Sequence, residues 1–148
     1  MKRTFLSAIV AIAFLTGLSA QGKPNFAGKW KAAGSFNSWT ITVEGPKMTV
    51  TMTVAGNSDS TVYLLDGTPS TKTIEGPNGP VENVSTSTWE GDVLVTTITA
   101  PGMSRTERRS IEADGTMKVQ TTITMMQGKP APPPPPGAGA GMVLKKIG

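Results

Sequence analysis

The chain has 148 residues, and its 14 lysines and arginines outnumber its 10 acidic residues, which gives a formal charge of +4. It contains no cysteine and no histidine. Their absence excludes a disulfide-stapled domain, the Ser-His type of catalytic triad and the commonest zinc ligand. The small positive excess does not indicate a nucleic-acid partner, and nothing in the composition points to a cofactor.

The first twenty residues have the pattern of a secretory signal peptide. Two basic residues precede an apolar run from Phe5 to Leu18, and small residues up to Ala20 offer a cleavage site. The alternative is a membrane anchor, but the run is shorter than the roughly 20 apolar residues that span a bilayer. We therefore expect a secreted or periplasmic protein whose mature form, Gln21 to Gly148, is one domain without a membrane span.

Apolar and polar residues alternate with a period of two from Trp30 to Ile123, as in half-buried β-strands. The clearest run is MTVTMTV, Met48 to Val54, and it follows a similar run after a Gly-Pro hairpin turn. The predicted strands are, in chain order, Gly28–Ala32, Trp39–Val43, Met48–Val54, Thr61–Leu65, Thr71–Glu75, Val84–Trp89, Val93–Thr99, Ser104–Glu112, Met117–Met125 and Met142–Ile147. No segment has a helical period. About 8–10 short strands joined by turns predict an all-β, antiparallel, up-and-down barrel, because closure removes the exposed strand edges.

The segment Gly128 to Gly141 interrupts this pattern. Its five consecutive prolines, Pro132 to Pro136, lack backbone N–H donors and favour polyproline II, and a flexible Gly-Ala repeat follows them. We interpret it as a Pro/Gly-rich solvent loop between the last two strands. The alternative is a peptide ligand for a proline-binding groove.

Two stretches resemble one family. Gly28-Lys29-Trp30 is similar to the G-x-W signature of the lipocalin and fatty-acid-binding protein (calycin) superfamily. The run from Trp89 through Arg109 to the turn Asp114-Gly115 resembles the second half of fatty-acid-binding barrels, and also small secreted lipocalin-like domains of bacteria. The resemblance implies that Trp30 plugs the closed end of the barrel, where Gly28 lets the chain bend.

The last predicted strand departs from that family. Fatty-acid-binding barrels place there an arginine stacked on the tryptophan and an Arg-x-Tyr pair that holds a carboxylate. Here the strand offers only Lys145 and Lys146, and lysine makes a weaker cation–π contact than arginine. The sequence therefore lacks the residues with which the family binds fatty acids. No segment predicts the family's helical lid.

The inward faces of the strands predict a pocket for a small lipophilic molecule, with a core packed without any cavity as the alternative. Methionines suit such a pocket because they adapt to varied apolar shapes. Arg105, Glu107 and Arg109 share one strand face, which either anchors an anionic head group inside or carries ion pairs outside. The candidate ligand-binding residues are Trp39, Met52, Tyr63, Arg109, Met117 and Ile123.

Catalytic and metal sites have no support in the sequence. Glu107 and Glu112 lie on opposite faces of one strand, so they do not form a carboxylate pair. The aspartates Asp59, Asp66, Asp92 and Asp114 are predicted in turns, without calcium-loop spacing. We therefore expect a binding or carrier protein. The alternatives are a structural or interaction domain with a side-chain-filled barrel and a barrel cyclase or isomerase.

Overall fold

The computed structural model describes residues 22–136 and 141–148, so the predicted signal peptide lies outside the described residues. The described chain is all β and forms one antiparallel sheet of eleven strands. The strands are β1 Gly28–Ala32, β2 Ser38–Glu44, β3 Lys47–Val54, β4 Asn57–Leu64, β5 Ser70–Gly76, β6 Gly79–Glu90, β7 Val93–Ala100, β8 Met103–Ile111, β9 Met117–Met126, β10 Lys129–Pro130 and β11 Met142–Ile147. All ten predicted strands are present, and β10 is an additional one.

The strand order is β4-β3-β2-β1-β11-β9-β8-β7-β6-β5, with β10 paired to β9. Its two ends, β4 and β5, are not paired with each other, but side chains connect them. Ser70 Oγ donates to the carbonyl of Val62 at 2.5 Å. Lys72 Nζ forms an ion pair with Asp59 and donates to Thr61 Oγ1 at 3.2 Å. The sheet is thus a nearly closed up-and-down barrel, as predicted, with one seam between β4 and β5.

The prediction for β4 was wrong at its start. The strand begins at Asn57 rather than Thr61, so Asp59 lies within a strand and not in a turn. Hydroxyl pairs across β3 and β4, such as Thr51 with Ser60 at 2.8 Å, extend the ladder to the next tight turn. These cross-strand bonds outweigh the poor strand propensity of aspartate.

Two smaller differences concern prolines. Pro80 was predicted in a turn but lies in β6, where it is tolerated because β7 pairs with β6 only from Val84 onward. The predicted loop Gly128 to Gly141 contains β10, which pairs with Met125 and Met126 of β9.

The barrel has two distinct ends, here called the base and the mouth. The base carries the turns around Gly45-Pro46, Gly91-Asp92 and Asp114-Gly115, and the mouth carries those around Ala55-Gly56, Pro101-Gly102 and Gln127-Gly128. The buried apolar core consists of Phe26, Trp30, Ile41, Met48, Val50, Tyr63, Leu94, Ile98, Met117, Val119 and Leu144. Toward the mouth, side chains on the same strands are exposed, including Met52, Val54 and Ile123. The interior is therefore filled at the base and open at the mouth.

Candidate functional site

The base is closed by the predicted plug. Trp30 is only 2% exposed, and its indole Nε1 donates to the carbonyl of Phe26 at 2.9 Å. Lys146 Nζ lies 5.6 Å from the centroid of the Trp30 ring. Gly28 has φ 139°, and a Cβ there would lie 2.5 Å from Lys146 Cε. Gly28 is therefore required both for its backbone conformation and for the approach of the lysine.

Aromatic packing continues outside the plug. The rings of Phe26 and Trp89 are stacked with centroids 5.9 Å apart, and Lys23 Nζ lies 5.4 Å from the Trp89 ring. Lys23 also donates to the carbonyl of Gly91 at 2.8 Å. This packing fastens the segment before β1 across the base, so access to the interior is from the mouth or the seam.

Two cavities lie inside the barrel. The first, of about 130 Å³, is lined by Trp39, Ile41, Val50, Glu107, Arg109, Met117, Val119, Thr121, Met142 and Leu144. The second, of about 230 Å³, lies against the seam and is lined by Asp59, Thr61, Tyr63, Lys72, Ile74, Asn83, Ser85, Ile98 and Arg105. Most residues that line the first cavity are apolar, with one ion pair among them, whereas most residues that line the second are polar.

Charged side chains on β8 line both cavities: Glu107 and Arg109 line the first, and Arg105 lines the second. Leu94 and Val119, the register partners of Arg109, are both buried, so Arg109 points inward, and only 7% of it is exposed. Its Nη2 lies 2.8 Å from Glu107 Oε2, and Arg105 Nε lies 3.6 Å from Glu107 Oε1. The face that these three residues share therefore points into the barrel, where Glu107 pairs with both arginines.

The outward neighbour on β8 behaves differently. Arg108 points away from the interior and forms an ion pair with Glu90 at 2.7 Å. Both side chains are substantially exposed, so solvent screens this pair. Period-two alternation therefore divides the two adjacent arginines between the barrel interior and its surface.

The interior cluster is not fully satisfied by protein groups. Arg109 Nη1 and Arg105 Nε are buried without a hydrogen-bond partner, and so is Asn83 Oδ1. The charged residues that line the two cavities are three cations, Lys72, Arg105 and Arg109, and two acids, Asp59 and Glu107. One positive charge and two guanidinium N–H groups thus remain uncompensated inside the barrel.

Tyr63 completes the cluster. The guanidinium carbon of Arg109 lies 5.1 Å from the centroid of the Tyr63 ring. Burial raises the pKa of the Tyr63 phenol, and the negative charge of Glu107 raises it further, although Arg109 opposes both effects. Tyr63 therefore presents a neutral hydroxyl and an aromatic face to the arginine.

The predicted ligand-binding residues are divided among different surroundings. Trp39, Arg109 and Met117 line the first cavity, and Tyr63 lines the second. Met52, 38% exposed, lies in register with Trp39 and Asp59 at the mouth.

Ile123 also lies at the mouth, because it is 44% exposed and pairs with Arg105. It lines a separate pocket of about 260 Å³ between β9 and the proline segment. Ile123 and Met52 are therefore rim residues and do not line either interior cavity.

Sequence reasoning missed the seam. Lys72 and Asp59 come from strands that are not adjacent by hairpin pairing, and Asp59 was assigned to a turn. Asn83 was also missed, because the strand was predicted to begin one residue later, at Val84, whereas β6 begins at Gly79. Alternation with the apolar Ile74 was a signal that Lys72 points inward, since the two residues share a strand face.

Within residues 22–136 and 141–148, no three histidine, cysteine, aspartate or glutamate side chains lie close enough to hold a metal ion. The same part has no helix that is long and apolar enough to cross a membrane.

Among solved structures, the chain is similar to a secretary abundant heat soluble (SAHS) protein from Ramazzottius varieornatus. The TM-score is 0.56 at 14% sequence identity, and the match covers 82% of this chain and 95% of the SAHS chain. This likeness shows a barrel fold of the lipocalin and fatty-acid-binding type. The finer resemblance to small secreted bacterial domains stays a prediction. No family model and no curated protein matches the chain.

Proposed function

We propose that this protein is an exported, non-enzymatic binding protein for a small amphiphile that carries one negative charge. The acidic head of the ligand accepts hydrogen bonds from Arg105 and Arg109, and its apolar body occupies the first cavity. The predicted signal peptide, residues 1–20, supports export, and the resemblance to small secreted lipocalin-like domains agrees with it.

The observation that carries the proposal is the uncompensated charge inside the barrel. A buried charge without a partner is costly, and a buried guanidinium N–H without an acceptor adds to that cost. A carboxylate, sulfate or phosphate monoester would balance the charge and accept from both Arg105 Nε and Arg109 Nη1. Glu107 already occupies one side of each arginine, so the site is suited to a single anionic group.

The apolar part of the site selects small ligands. The walls near Arg109 are formed by Trp39, Ile41, Val50 and Leu144. The volume of about 130 Å³ is below the roughly 300–1,000 Å³ typical of drug-sized ligands. Short acyl or aryl chains therefore fit best. A longer chain would extend toward the mouth, where methionine side chains adapt their shape.

The test compares octanoate with octanol, which share an apolar chain and differ in charge. Binding is followed by isothermal titration and by tryptophan fluorescence, since Trp39 lines the cavity. We expect one saturable site that prefers octanoate. Glu107→Gln frees both arginines and should strengthen octanoate binding several-fold. Glu107→Gln with Arg105→Met and Arg109→Met removes all three charges and should abolish the preference, a loss of about ten- to hundred-fold for octanoate.

Arg108→Gln is the matched control, because it removes the same charge from the same strand but on the outer surface. It should leave both affinities unchanged. Equal binding of octanoate and octanol by the unmodified protein would refute the anionic site.

The size of the cavities also favours a second candidate, the side-chain-filled barrel that acts through its surface. No saturable binding of either ligand to a folded protein would support it. Export is tested separately, by the N-terminal mass of protein recovered outside the cytoplasm, which should begin at or near Gln21.

A further inference from the structure

One wall of the barrel carries lysines without acidic partners. Lys29 and Lys31 of β1 alternate with the buried Trp30 and therefore point outward. Lys145 of β11 and Lys118 of β9 likewise alternate with buried residues. We call these four outward residues the lysine face. They lie on three neighbouring strands, because β11 pairs with both β1 and β9.

The arrangement on the lysine face is electrostatically unfavourable in isolation. Lys31 and Lys145 are direct cross-strand partners, a position in which like charges repel each other. Lys118 pairs with Val143, only two positions along β11 from Lys145. Among the described residues, none of the four lysines takes part in an ion pair. An opposing anionic surface would remove this repulsion.

Glu112 borders the lysine face, because its Oε1 accepts a hydrogen bond from Ser110, the register partner of Lys118. Asp114, in the turn between β8 and β9, is attracted to Lys145. Its pKa is lowered mainly by hydrogen bonds from the side chain and the backbone of Thr116, and attraction to Lys145 makes only the smallest contribution. Asp114 is fully exposed and already engaged by Thr116 at 2.6 Å and 2.9 Å. It therefore leaves most of the positive charge of the lysine face uncompensated.

Apolar side chains lie among the lysines. Val143 is 48% exposed and Ile147 38% exposed, and each is in register with a lysine of the face, Lys118 and Lys29 respectively. In the loop that joins β1 to β2, at the mouth end of the same wall, Phe36 is 94% exposed. Cations interspersed with exposed apolar groups match the interface of an anionic bilayer, where phosphate and acyl chain occur together.

We propose that the lysine face binds the surface of a lipid bilayer rich in anionic lipids. Lys31 and Lys145 contact the head groups, and Val143, Ile147 and Phe36 enter the outermost apolar layer. A nucleic acid or acidic polysaccharide would use the lysines but not the apolar residues. Such partners fit less well because no aromatic side chain lies between the lysines to stack on bases. The proposal does not depend on the interior ligand site.

The test is co-sedimentation of the protein with phosphatidylcholine vesicles that contain or lack phosphatidylserine. The apolar segment Phe5 to Leu18 is common to all variants, so binding to phosphatidylcholine alone measures its contribution. We expect tighter, salt-sensitive binding to the anionic vesicles. Lys31→Gln with Lys145→Gln should weaken that binding by roughly five-fold per lysine, and the far-UV spectrum should be unchanged.

The matched control is Lys47→Gln with Lys129→Gln, which removes the same charge from exposed positions outside the lysine face. It should bind anionic vesicles like the unmodified protein. An equal loss in this control, or no preference of the unmodified protein for anionic vesicles, would overturn the proposal.

Val143→Ser with Ile147→Ser separates a bilayer from a soluble polyanion. These substitutions should weaken vesicle binding and leave binding to heparin unchanged. If heparin binds tightly and the two serines do not affect the vesicles, the partner is a polyanion and the bilayer proposal is wrong.

Discussion

Replacing Trp30 by phenylalanine tests whether the plug holds the barrel together. Phenylalanine keeps an aromatic ring but removes roughly 40 Å² of buried apolar surface, which is worth about 1 kcal/mol. The carbonyl of Phe26 loses its buried donor, at a cost of about 1–3 kcal/mol. The cation–π contact with Lys146 becomes weaker, which costs about 0.5 kcal/mol more of stability. We therefore expect the free energy of unfolding to fall by about 2.5–4.5 kcal/mol.

The same substitution at Trp39 is the control. Trp39 is the cross-strand partner of Trp30 and lies on the same face, but it is only half-buried. The hydrogen bonds of the described residues include none from its indole N–H. Trp39→Phe should therefore cost less than about 1 kcal/mol.

Both variants are measured by urea unfolding followed by far-UV circular dichroism, because tryptophan fluorescence is itself altered. Trp30→Phe should lower the midpoint by about 1–2 M urea. If Trp30→Phe and Trp39→Phe were equally destabilising, the claim that a hydrogen-bonded indole closes the base would be refuted.

Three further predictions concern the interior, the base and the loop. The pKa of Tyr63 is raised above 10.0 by burial and then by Glu107. As the pH rises, Tyr63 therefore ionises in the unfolded chain before it ionises in the folded one. Its contribution to the free energy of unfolding is constant below about pH 10 and decreases above it. Tyr63→Phe should reduce this decrease, measured by urea unfolding at alkaline pH. Gly28→Ala should destabilise the barrel by about 1–3 kcal/mol through backbone strain and the clash with Lys146. Adding Lys146→Ala should restore only the part of this loss that the clash causes, because the backbone strain remains. Replacing Pro132–Pro136 by a Gly-Ser linker should change the free energy of unfolding by less than about 1 kcal/mol, since all five prolines are exposed. A larger loss of stability, measured by thermal melts, would show that the segment is structural.

The strands and the plug were predictable because their signals are local. Alternation along Met48 to Val54 depends only on the pleat of one strand, and the turns depend on a few adjacent residues. The G-x-W stretch singled out Trp30, which the structure buries, and Gly28, which has a positive φ. Where a cross-strand interaction competed with propensity, as at Asp59, local reasoning failed.

The charged interior was only half predictable. Alternation placed Arg109 and Glu107 on one face of β8 and Arg108 on the other, but it did not say which face is inside. That choice depends on the buried partners in β7 and β9, which belong to other parts of the sequence. The contact of Lys72 with Asp59 depends on curvature, because it crosses the one junction where strands are not paired.

By itself, the sequence determined the strand content and most of the turn positions, since each follows from spacing along a short stretch. Only the tertiary structure decided that Arg105, Glu107 and Arg109 face the interior, that Lys72 meets Asp59 at the seam, and that four lysines meet on the outer surface. The physical reason is strand register, which places residues far apart in the sequence opposite each other on neighbouring strands. Lys31 and Lys145 lie 114 positions apart in the sequence, and they become neighbours only when β11 closes the sheet against β1.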